Sequence, residues 1–170
     1  MQNAPNIVLT GVESTGKSEL ALLLAQHLRR PLVAECARQY LQYIGTNYAP
    51  HDVENIARLQ TDAIRHTAQH SPIVADTDAL VCKIWYEHKY QRPSALINYL
   101  FQQSQQQNTL YVLPHLDDCP YTPDPLRETP DPSERLHLFR LYLQALTNAR
   151  CRFVIPRGNP IERLRQVLRE

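Results

Sequence analysis

The eight residues Gly11–Ser18 constrain this chain more than any other feature. They read G-x-x-x-x-G-K-S, follow the apolar run Ile7–Thr10, and precede a segment with helical periodicity. Glycines at both ends of the pattern let the backbone turn so that its N–H groups converge, and the N-terminus of the following helix adds positive potential. The pattern therefore predicts a polyphosphate-binding loop between a strand and a helix.

Two side chains of this loop have distinct predicted roles. Lys17 would reach the β- and γ-phosphates of ATP, and the Ser18 hydroxyl would ligate Mg²⁺. An accidental match in a surface turn is the alternative, but only four glycines occur in the chain and two of them lie in this window. The residues predicted to bind the nucleotide are Gly11, Val12, Glu13, Ser14, Thr15, Gly16, Lys17 and Ser18.

The rest of the chain alternates short apolar runs with helical stretches. Such alternation is typical of a parallel sheet covered by helices. A chain of 170 residues is long enough for one domain with a sizeable core, so we expect a single domain over 1–170. Five runs are predicted to be strands: Asn6–Thr10, Pro31–Ala34, Pro72–Ala75, Thr109–Leu113 and Arg152–Ile155.

Helices are predicted between these strands. Lys17–Arg29 carries leucine at every fourth position from 20 to 28, and Asp52–Gln69 has an amphipathic face that is broken only by Gln60. Asp131 and Asn159 each precede a proline and stand three residues before a glutamate, which predicts the N-terminal caps of two further helices. The apolar stripe predicted for the first of these is Leu136, Phe139, Leu143 and Leu146, and for the second Ile161, Leu164, Val167 and Leu168.

The segment 114–132 departs from this alternation. It holds six of the 13 prolines, and proline removes amide donors and restricts the backbone. Long loops in small domains are usually functional or disordered, and this one directly follows a predicted strand. We expect a lid over the phosphate site. Arg127 and Arg135 would stabilise charge on a transferring phosphoryl group; the alternative is two solvated arginines.

Carboxylates follow two of the predicted strands, at the edge where open α/β sheets bind ligands. Asp76 comes directly after the third strand and is predicted to lie near the metal. Asp78 has two interpretations, a substrate contact or the cap of a helix that begins near Ala79. Glu35 follows the second strand and would accept a proton from an acceptor hydroxyl or hydrogen-bond a ribose.

Three further candidate site residues are supported by weaker sequence signals. Arg38 would pair with Glu35 or contact a phosphate, with a surface ion pair as the alternative. Trp85 would stack on a flat ring in the acceptor pocket, although core packing explains it equally well. Gly158, in the turn after the last predicted strand, is assigned to an adenine base by its position alone.

Charge and composition restrict the partners. A formal net charge of +1 provides no global field for nucleic acid or membranes, and no apolar run approaches the roughly 20 residues that a membrane span needs. The four cysteines are scattered, which favours reduced thiols over a disulfide framework or a zinc site. We expect a cytoplasmic protein that acts on a small molecule, without a nucleic-acid or membrane partner; a homo-oligomer is compatible with the sequence.

Four motifs in a fixed order resemble a known family. They are G-x-E-S-[ST]-G-K-S at 11–18, E-x-[AG]-R-x-Y at 35–40, D-T-D at 76–78 and P-[WY]-x-x-D-x-x-R at 120–127. Together they resemble the ribosylnicotinamide kinase domain of bacterial NadR-type proteins, a group of P-loop kinases of small molecules. The resemblance covers nearly the whole chain.

This resemblance implies a fold and a reaction. The fold would be a three-layer α/β P-loop kinase, with a parallel five-stranded sheet in the order 2-3-1-4-5, helices on both faces and a lid. The reaction would be the ATP- and Mg²⁺-dependent phosphorylation of the 5′-hydroxyl of nicotinamide riboside to nicotinamide mononucleotide in NAD salvage. The residues that would line the acceptor and metal region are Glu35, Arg38, Asp76 and Asp78, with Arg127 and Arg135 coming from the lid.

Catalysis is assigned to Lys17, Glu35, Asp76 and Arg127, and either Glu35 or Asp76 would orient the acceptor hydroxyl. The lid departs from the family pattern D-G-x-R, because Pro125 stands where glycine would bend. Two alternatives stay open: a kinase of another nucleoside or small metabolite, and a regulatory ATP-binding module that hydrolyses slowly.

Overall fold

The computed structural model describes residues 4–170, so the first three residues of the predicted domain lie outside the described part. The strands are β1 (Asn6–Leu9), β2 (Leu32–Val33), β3 (Val74–Asp76), β4 (Thr109–Val112) and β5 (Arg152–Val154). The helices are α1 (Lys17–Leu28), α2 (Cys36–Ile44), α3 (Pro50–Ala68), α4 (Ala79–Tyr90), α5 (Ala95–Ser104), α6 (Pro132–Asn148) and α7 (Pro160–Val167), and a short 3₁₀ helix covers Leu116–Asp118.

The five strands form one parallel sheet in the order β2-β3-β1-β4-β5. This confirms the predicted sheet and its order. Leu9 at the end of β1 lies opposite Asp76 on β3 and Val112 on β4. The segments that follow these three strands therefore leave the sheet at the same edge, where ligands of such sheets bind.

Helices cover both faces of the sheet, which confirms the three-layer α/β architecture. Alternate residues of β1 point to opposite faces: Ile7 and Leu9 pack with Leu24 of α1 and Val167 of α7. Val8 points to the other face, where a larger core includes side chains of α3, α4, α5 and α6. Within residues 4–170, no helix combines the length and the apolar character needed to cross a membrane.

The predicted helix starts at Asp131 and Asn159 are present. The Asp131 side chain accepts the N–H of Glu134 at 2.9 Å, and that of Asn159 accepts the N–H of Glu162 at 3.0 Å. The predicted apolar stripes are partly wrong. On α6, Leu136 is 42% exposed, whereas the neighbouring positions Leu138 and Tyr142 are buried; on α7, Ile161 and Leu168 are exposed. Both sets satisfy helical spacing, and on α6 the set that packs into the larger core is the one that is buried.

Gln60 interrupts the apolar face of α3 because its amide joins two strand ends. Its side chain is 1% exposed. It accepts the N–H of Cys36 at 2.8 Å and donates to the carbonyl of Thr77 at 3.3 Å. A buried amide is tolerated when it is hydrogen-bonded, and these bonds hold the backbone beside Glu35 and Asp76. Helices α2 and α5 were not predicted from the sequence.

Candidate active site

A cavity of about 530 Å³ opens at the carboxyl edge of the sheet. Loop Gly11–Ser18 forms one wall, α4 forms the opposite wall, and residues 126–129 close one side. A cavity of this size accommodates a small-molecule ligand. The sequence-predicted residues in its wall are Gly11, Val12, Glu13, Ser14, Thr15, Gly16, Lys17, Ser18, Glu35, Arg38, Trp85 and Arg127.

The loop has the conformation that its glycines permit. Gly11 has φ 120° and Gly16 has φ 76°, which is strained for any residue with a Cβ atom. A Cβ on Gly11 would also lie 2.7 Å from the side chain of Leu113. The loop is closed by the Thr15 hydroxyl, which donates to the carbonyl of Val12 at 2.9 Å.

Lys17 lies at the centre of the charged part of the cavity. Its Nζ donates to the carbonyl of Val12 at 2.8 Å. Burial lowers the pKa of this ammonium, while the carboxylates of Glu35, Asp76 and Glu13 oppose that shift. The fold therefore brings the loop lysine together with carboxylates from the ends of β2 and β3.

The two carboxylates differ in their access to the cavity. Glu35 occupies the N-cap position of α2 without capping it, and its side chain lines the cavity. Burial raises the pKa of Glu35, and Lys17 opposes this shift. Asp76 is 6% exposed and is not part of the cavity wall. Its Oδ1 is buried and has no hydrogen-bond partner among residues 4–170.

Asp78 caps α4, as one of its two interpretations proposed. One carboxylate oxygen accepts the N–H of Leu80 at 3.0 Å, and the other accepts the Tyr111 hydroxyl at 2.9 Å. Burial raises the pKa of Asp78 to about 6. Asp78 is not in the wall of the 530 Å³ cavity, and its other interpretation, a substrate contact, stays a prediction. Thr77, between the two carboxylates, has φ 82°. Asp76 lies near Lys17, whereas Asp78 is bonded to Tyr111.

Segment 114–132 lies directly against the loop. The Glu13 carboxylate accepts the N–H of Thr129 at 2.8 Å and that of Glu128 at 3.4 Å. The Ser14 hydroxyl accepts the N–H of Thr122 at 2.9 Å. Two loop side chains thus form hydrogen bonds with both halves of the proline-rich segment.

The two arginines of the predicted lid lie in different surroundings. Arg127 lines the cavity and donates to the Ser14 hydroxyl at 3.4 Å and to the carbonyl of Thr122. Arg135 is 5% exposed, lies 5.1 Å from the Tyr121 ring and is not in the cavity wall. One of its terminal nitrogens has no hydrogen-bond partner among the described residues. Burial lowers the pKa of Arg135, and Glu13 opposes that shift.

The wall opposite the loop combines aromatic and charged side chains. Trp85 lines the cavity and donates from its indole N–H to the Tyr48 hydroxyl at 2.8 Å. The Tyr48 hydroxyl also contacts Glu128 at 2.5 Å and the ammonium of Lys89 at 2.6 Å. Glu128 and Lys89 form an ion pair at 2.9 Å. We call these residues, Tyr48, Lys89 and Glu128, the lid latch, because they join α4 to segment 114–132.

Sequence reasoning missed several residues of this wall. The latch residues Lys89 and Glu128 line the cavity, as do His88 and Glu134, whose side chains contact each other at 2.7 Å. Lys89 follows Trp85 by one helical turn, a spacing that places both on one face of α4. That spacing is the sequence signal from which Lys89 could have been predicted to lie beside Trp85. Glu134 was read only as part of the N-terminal signal of α6.

Arg38 forms the kind of surface ion pair that was its alternative interpretation, and Gly158 lies away from the cavity. Arg38 lines the cavity and pairs with Asp124 of segment 114–132 at 3.2 Å, instead of with Glu35. Gly158, with φ 92°, lies in the turn before α7 and outside the cavity wall. Its carbonyl accepts a hydrogen bond from Arg163 at 2.8 Å.

Few protein groups are available for a metal ion. Among residues 4–170, no three His, Cys, Asp or Glu side chains are grouped so that they could hold one. Two oxygens beside the nucleotide loop suit a metal ion: the Ser18 hydroxyl, which lines the cavity, and Oδ1 of Asp76, which has no hydrogen-bond partner among residues 4–170. Oxygen donors of this kind suit Mg²⁺, which takes its remaining ligands from phosphates and water.

Solved structures of kinases share this fold. A NadR protein in complex with NAD and AMP-PNP has a TM-score of 0.73 at 19% identity and matches 98% of this chain and 48% of its own. A NadR protein in complex with NR has a TM-score of 0.67 at 20% identity, over 92% of this chain and 46% of its own. The chain thus spans about half the length of these relatives. These matches confirm, at the level of the fold, the resemblance to the kinase domain of NadR-type proteins.

Another structure of the same fold matches along its whole length. The thymidylate kinase from Ehrlichia chaffeensis has a TM-score of 0.66 at 12% identity and covers 98% of both chains. No curated protein matches the sequence. The family model described as AAA domain matches residues 6–163. With its nucleotide loop, parallel sheet and covering helices inside that match, the chain belongs to the AAA domain family.

Proposed function

We propose that this protein is an ATP- and Mg²⁺-dependent kinase that phosphorylates the 5′-hydroxyl of nicotinamide riboside. The observation that carries the proposal is one continuous cavity, which joins the loop Gly11–Ser18 to a chamber lined by Glu35 and Trp85. The motifs at 35–40 and 120–127 and the fold shared with NadR proteins, one of them crystallised with NR, support this acceptor.

The nucleotide would bind at the loop. Lys17 donates to a loop carbonyl, and its ammonium would turn to the β- and γ-phosphates when ATP enters. The Ser18 hydroxyl and the unpartnered oxygen of Asp76 would hold Mg²⁺. When it is bound, Mg²⁺ offsets the charge that develops on the phosphate oxygens.

Glu35 would orient the acceptor and receive its proton. Its carboxylate lines the cavity beside Lys17, and burial raises its pKa, which makes it a stronger base than an exposed glutamate. The acceptor oxygen forms a bond to the γ-phosphorus, the bond from that phosphorus to the leaving oxygen breaks, and ADP departs with the electron pair. The hydroxyl proton passes to Glu35. Asp76 suits the metal better than the base role, because its Oδ1 has no hydrogen-bond partner among residues 4–170 and its carboxylate interacts with Lys17 of the loop.

The lid would complete the site. Arg127 extends from segment 114–132 into the cavity, where a guanidinium stabilises the equatorial oxygens of the transferring group. Closure of this segment would exclude water and hold both substrates in line, and positioning of this kind supplies most of the catalysis in phosphoryl transfer. We propose that 114–132 acts as a lid of the single kinase domain.

An acceptor panel tests the proposal. The purified protein is incubated with Mg²⁺–ATP and nicotinamide riboside, thymidine monophosphate, shikimate or gluconate, and both ADP release and product mass are measured. We expect acceptor-dependent ADP release with nicotinamide riboside and a product heavier by one phosphoryl group. The full-length match to a thymidylate kinase favours a nucleotide acceptor as the second candidate. Turnover with thymidine monophosphate alone would select that candidate, and turnover independent of any acceptor would indicate a regulatory ATPase.

A further inference from the structure

A buried arginine of α7 contacts the nucleotide loop from outside the cavity wall. Arg163 is 2% exposed. One terminal nitrogen donates to the carbonyl of Thr15 at 2.8 Å, and Nε donates to the carbonyl of Gly158 at 2.8 Å. The other terminal nitrogen lies 3.4 Å from the sulfur of Cys119 and 3.7 Å from Asp118. A single guanidinium thus connects the loop, the turn after β5 and the beginning of segment 114–132.

The bond to Thr15 has a direct consequence for the next amide. The carbonyl of Thr15 and the N–H of Gly16 belong to one peptide unit, and all peptide bonds among the described residues are trans. In a trans peptide the C=O and N–H point in opposite directions. Because Arg163 holds the carbonyl on the α7 side, the N–H of Gly16 is turned away from α7. Gly16 lines the cavity, so this N–H is available to an anion there.

Close packing keeps the peptide in that orientation. A Cβ atom on Gly16 would lie 3.2 Å from a terminal nitrogen of Arg163 and 3.2 Å from the sulfur of Cys119. The loop therefore rests on the guanidinium and on the thiol, with little room to move towards α7. Asp118 lies 3.7 Å from Arg163 and also accepts a hydrogen bond from Arg157 at 3.0 Å, so one carboxylate is shared by two guanidinium groups on this side of the loop.

We propose that Arg163 is a positioning residue for the polyphosphate of the nucleotide. It aims the N–H of Gly16 into the cavity before the ligand arrives, and its charge adds to the positive potential at the loop. This inference rests on the proposed nucleotide-binding function. A lysine at position 163 would keep the charge, but one ammonium on a flexible stem does not reproduce the planar fork that reaches two carbonyls at once.

Binding measurements on two variants test this role. Arg163→Met removes the charge and both hydrogen bonds, and Arg163→Lys keeps the charge. Arg165→Met is the matched control, since Arg165 is exposed on the same helix. Titration calorimetry with AMP-PNP and with tripolyphosphate gives Kd values, steady-state kinetics give KM for ATP and for the acceptor, and thermal unfolding reports stability.

We expect Arg163→Met to raise Kd for both probes by about tenfold or more, the effect of losing a charge-assisted hydrogen bond that orients the site. Arg163→Lys should fall between Arg163→Met and the unmodified protein, Arg165→Met should bind normally, and KM for the acceptor should change less than about twofold. A purely structural arginine would lower Tm without changing Kd. Folded Arg163→Met or Arg163→Lys protein with normal Kd would therefore overturn the inference.

A measurement on the unmodified protein covers the case in which neither variant folds. The ¹⁵N-resolved amide signal of Gly16 should shift when tripolyphosphate is added, because this N–H is the donor that Arg163 is inferred to aim. An unchanged Gly16 signal in a protein that binds tripolyphosphate would overturn the inference and leave the proposed function standing. Failure of the unmodified protein to bind AMP-PNP would overturn the proposed function and, with it, the inference.

Discussion

The contact between the nucleotide loop and the lid segment 114–132 depends strongly on Glu13. Its carboxylate accepts the backbone N–H groups of Thr129 and Glu128 at 2.8 and 3.4 Å. Glu13→Ala removes both acceptors and leaves the loop glycines untouched. We expect the lid to open more often while the loop keeps its turn, because Gly11 and Gly16 hold that turn through their own backbone conformations.

The size of this effect follows from the two distances. A hydrogen bond to a charged group contributes about 1.5–3 kcal/mol. The 2.8 Å bond to Thr129 has ordinary length, whereas the 3.4 Å bond to Glu128 is too long to contribute fully. We therefore expect a loss of about 2 kcal/mol, which shifts the ratio of closed to open lid by about 30-fold. Glu13→Gln keeps one carbonyl oxygen for Thr129 and should lose about half of that free energy.

Hydrogen exchange measured by mass spectrometry tests this prediction. Amides of segment 114–132 should exchange about 30-fold faster in Glu13→Ala than in the unmodified protein, with Glu13→Gln in between. Peptides from α5 serve as the internal reference, because α5 makes no contact with Glu13 in the hydrogen-bond network. The lid latch should keep the open state transient. Equal exchange of the lid in all three proteins would refute the reasoning.

Three further predictions concern single side chains. Lys17→Ala should abolish phosphoryl transfer in an ADP-release assay and leave the circular-dichroism spectrum unchanged, because among residues 4–170 the ammonium donates a hydrogen bond only to a loop carbonyl. Retained activity would contradict its role. Turnover should fall as pH drops through the raised pKa of Glu35, because only the carboxylate accepts a proton; Glu35→Gln should be inactive at every pH, and an active variant would remove Glu35 as the base. The folded protein keeps the Asp78 proton up to pH about 6, whereas the unfolded chain releases it near 3.8. The free energy of unfolding should therefore fall by about 3 kcal/mol as pH rises through this window. Asp78→Asn, which still accepts from Leu80, should remove that fall in urea unfolding at pH 4 and pH 8, and an identical fall in both proteins would disprove it.

The parts of the fold that were predicted depend on short stretches of sequence. Glycine spacing and the flanking apolar run locate the loop Gly11–Ser18, and the proline and cap signals locate the starts of α6 and α7. The buried face of α6 was predicted only in part, because Leu136 and Leu138 both satisfy helical spacing. Leu138 is buried in the larger core and Leu136 is exposed, and no pattern within the helix itself distinguishes the two.

In the candidate site, too, some residues were predicted from local sequence and others were placed only by tertiary contacts. Motif spacing identified Lys17, Glu35 and Arg127 as members of the cavity wall. It did not identify the lid latch, and it left Asp78 with two interpretations, because a cap and a ligand contact use the same carboxylate after the same kind of strand. The hydrogen bond from the N–H of Leu80 shows the cap, and the hydroxyl of Tyr111, 33 positions away, bonds to the other oxygen.

The sequence by itself determined the nucleotide loop, the parallel sheet and the irregular proline-rich segment, because each depends on backbone restrictions set by a few neighbouring residues. Only the tertiary structure decided which side chains support the loop. Glu13 meets Thr129 across 116 positions, and Arg163 meets Thr15 across 148. Contacts at such separations form when the sheet order and the helix packing bring distant segments together. No local pattern in a single sequence predicts which distant residues will meet.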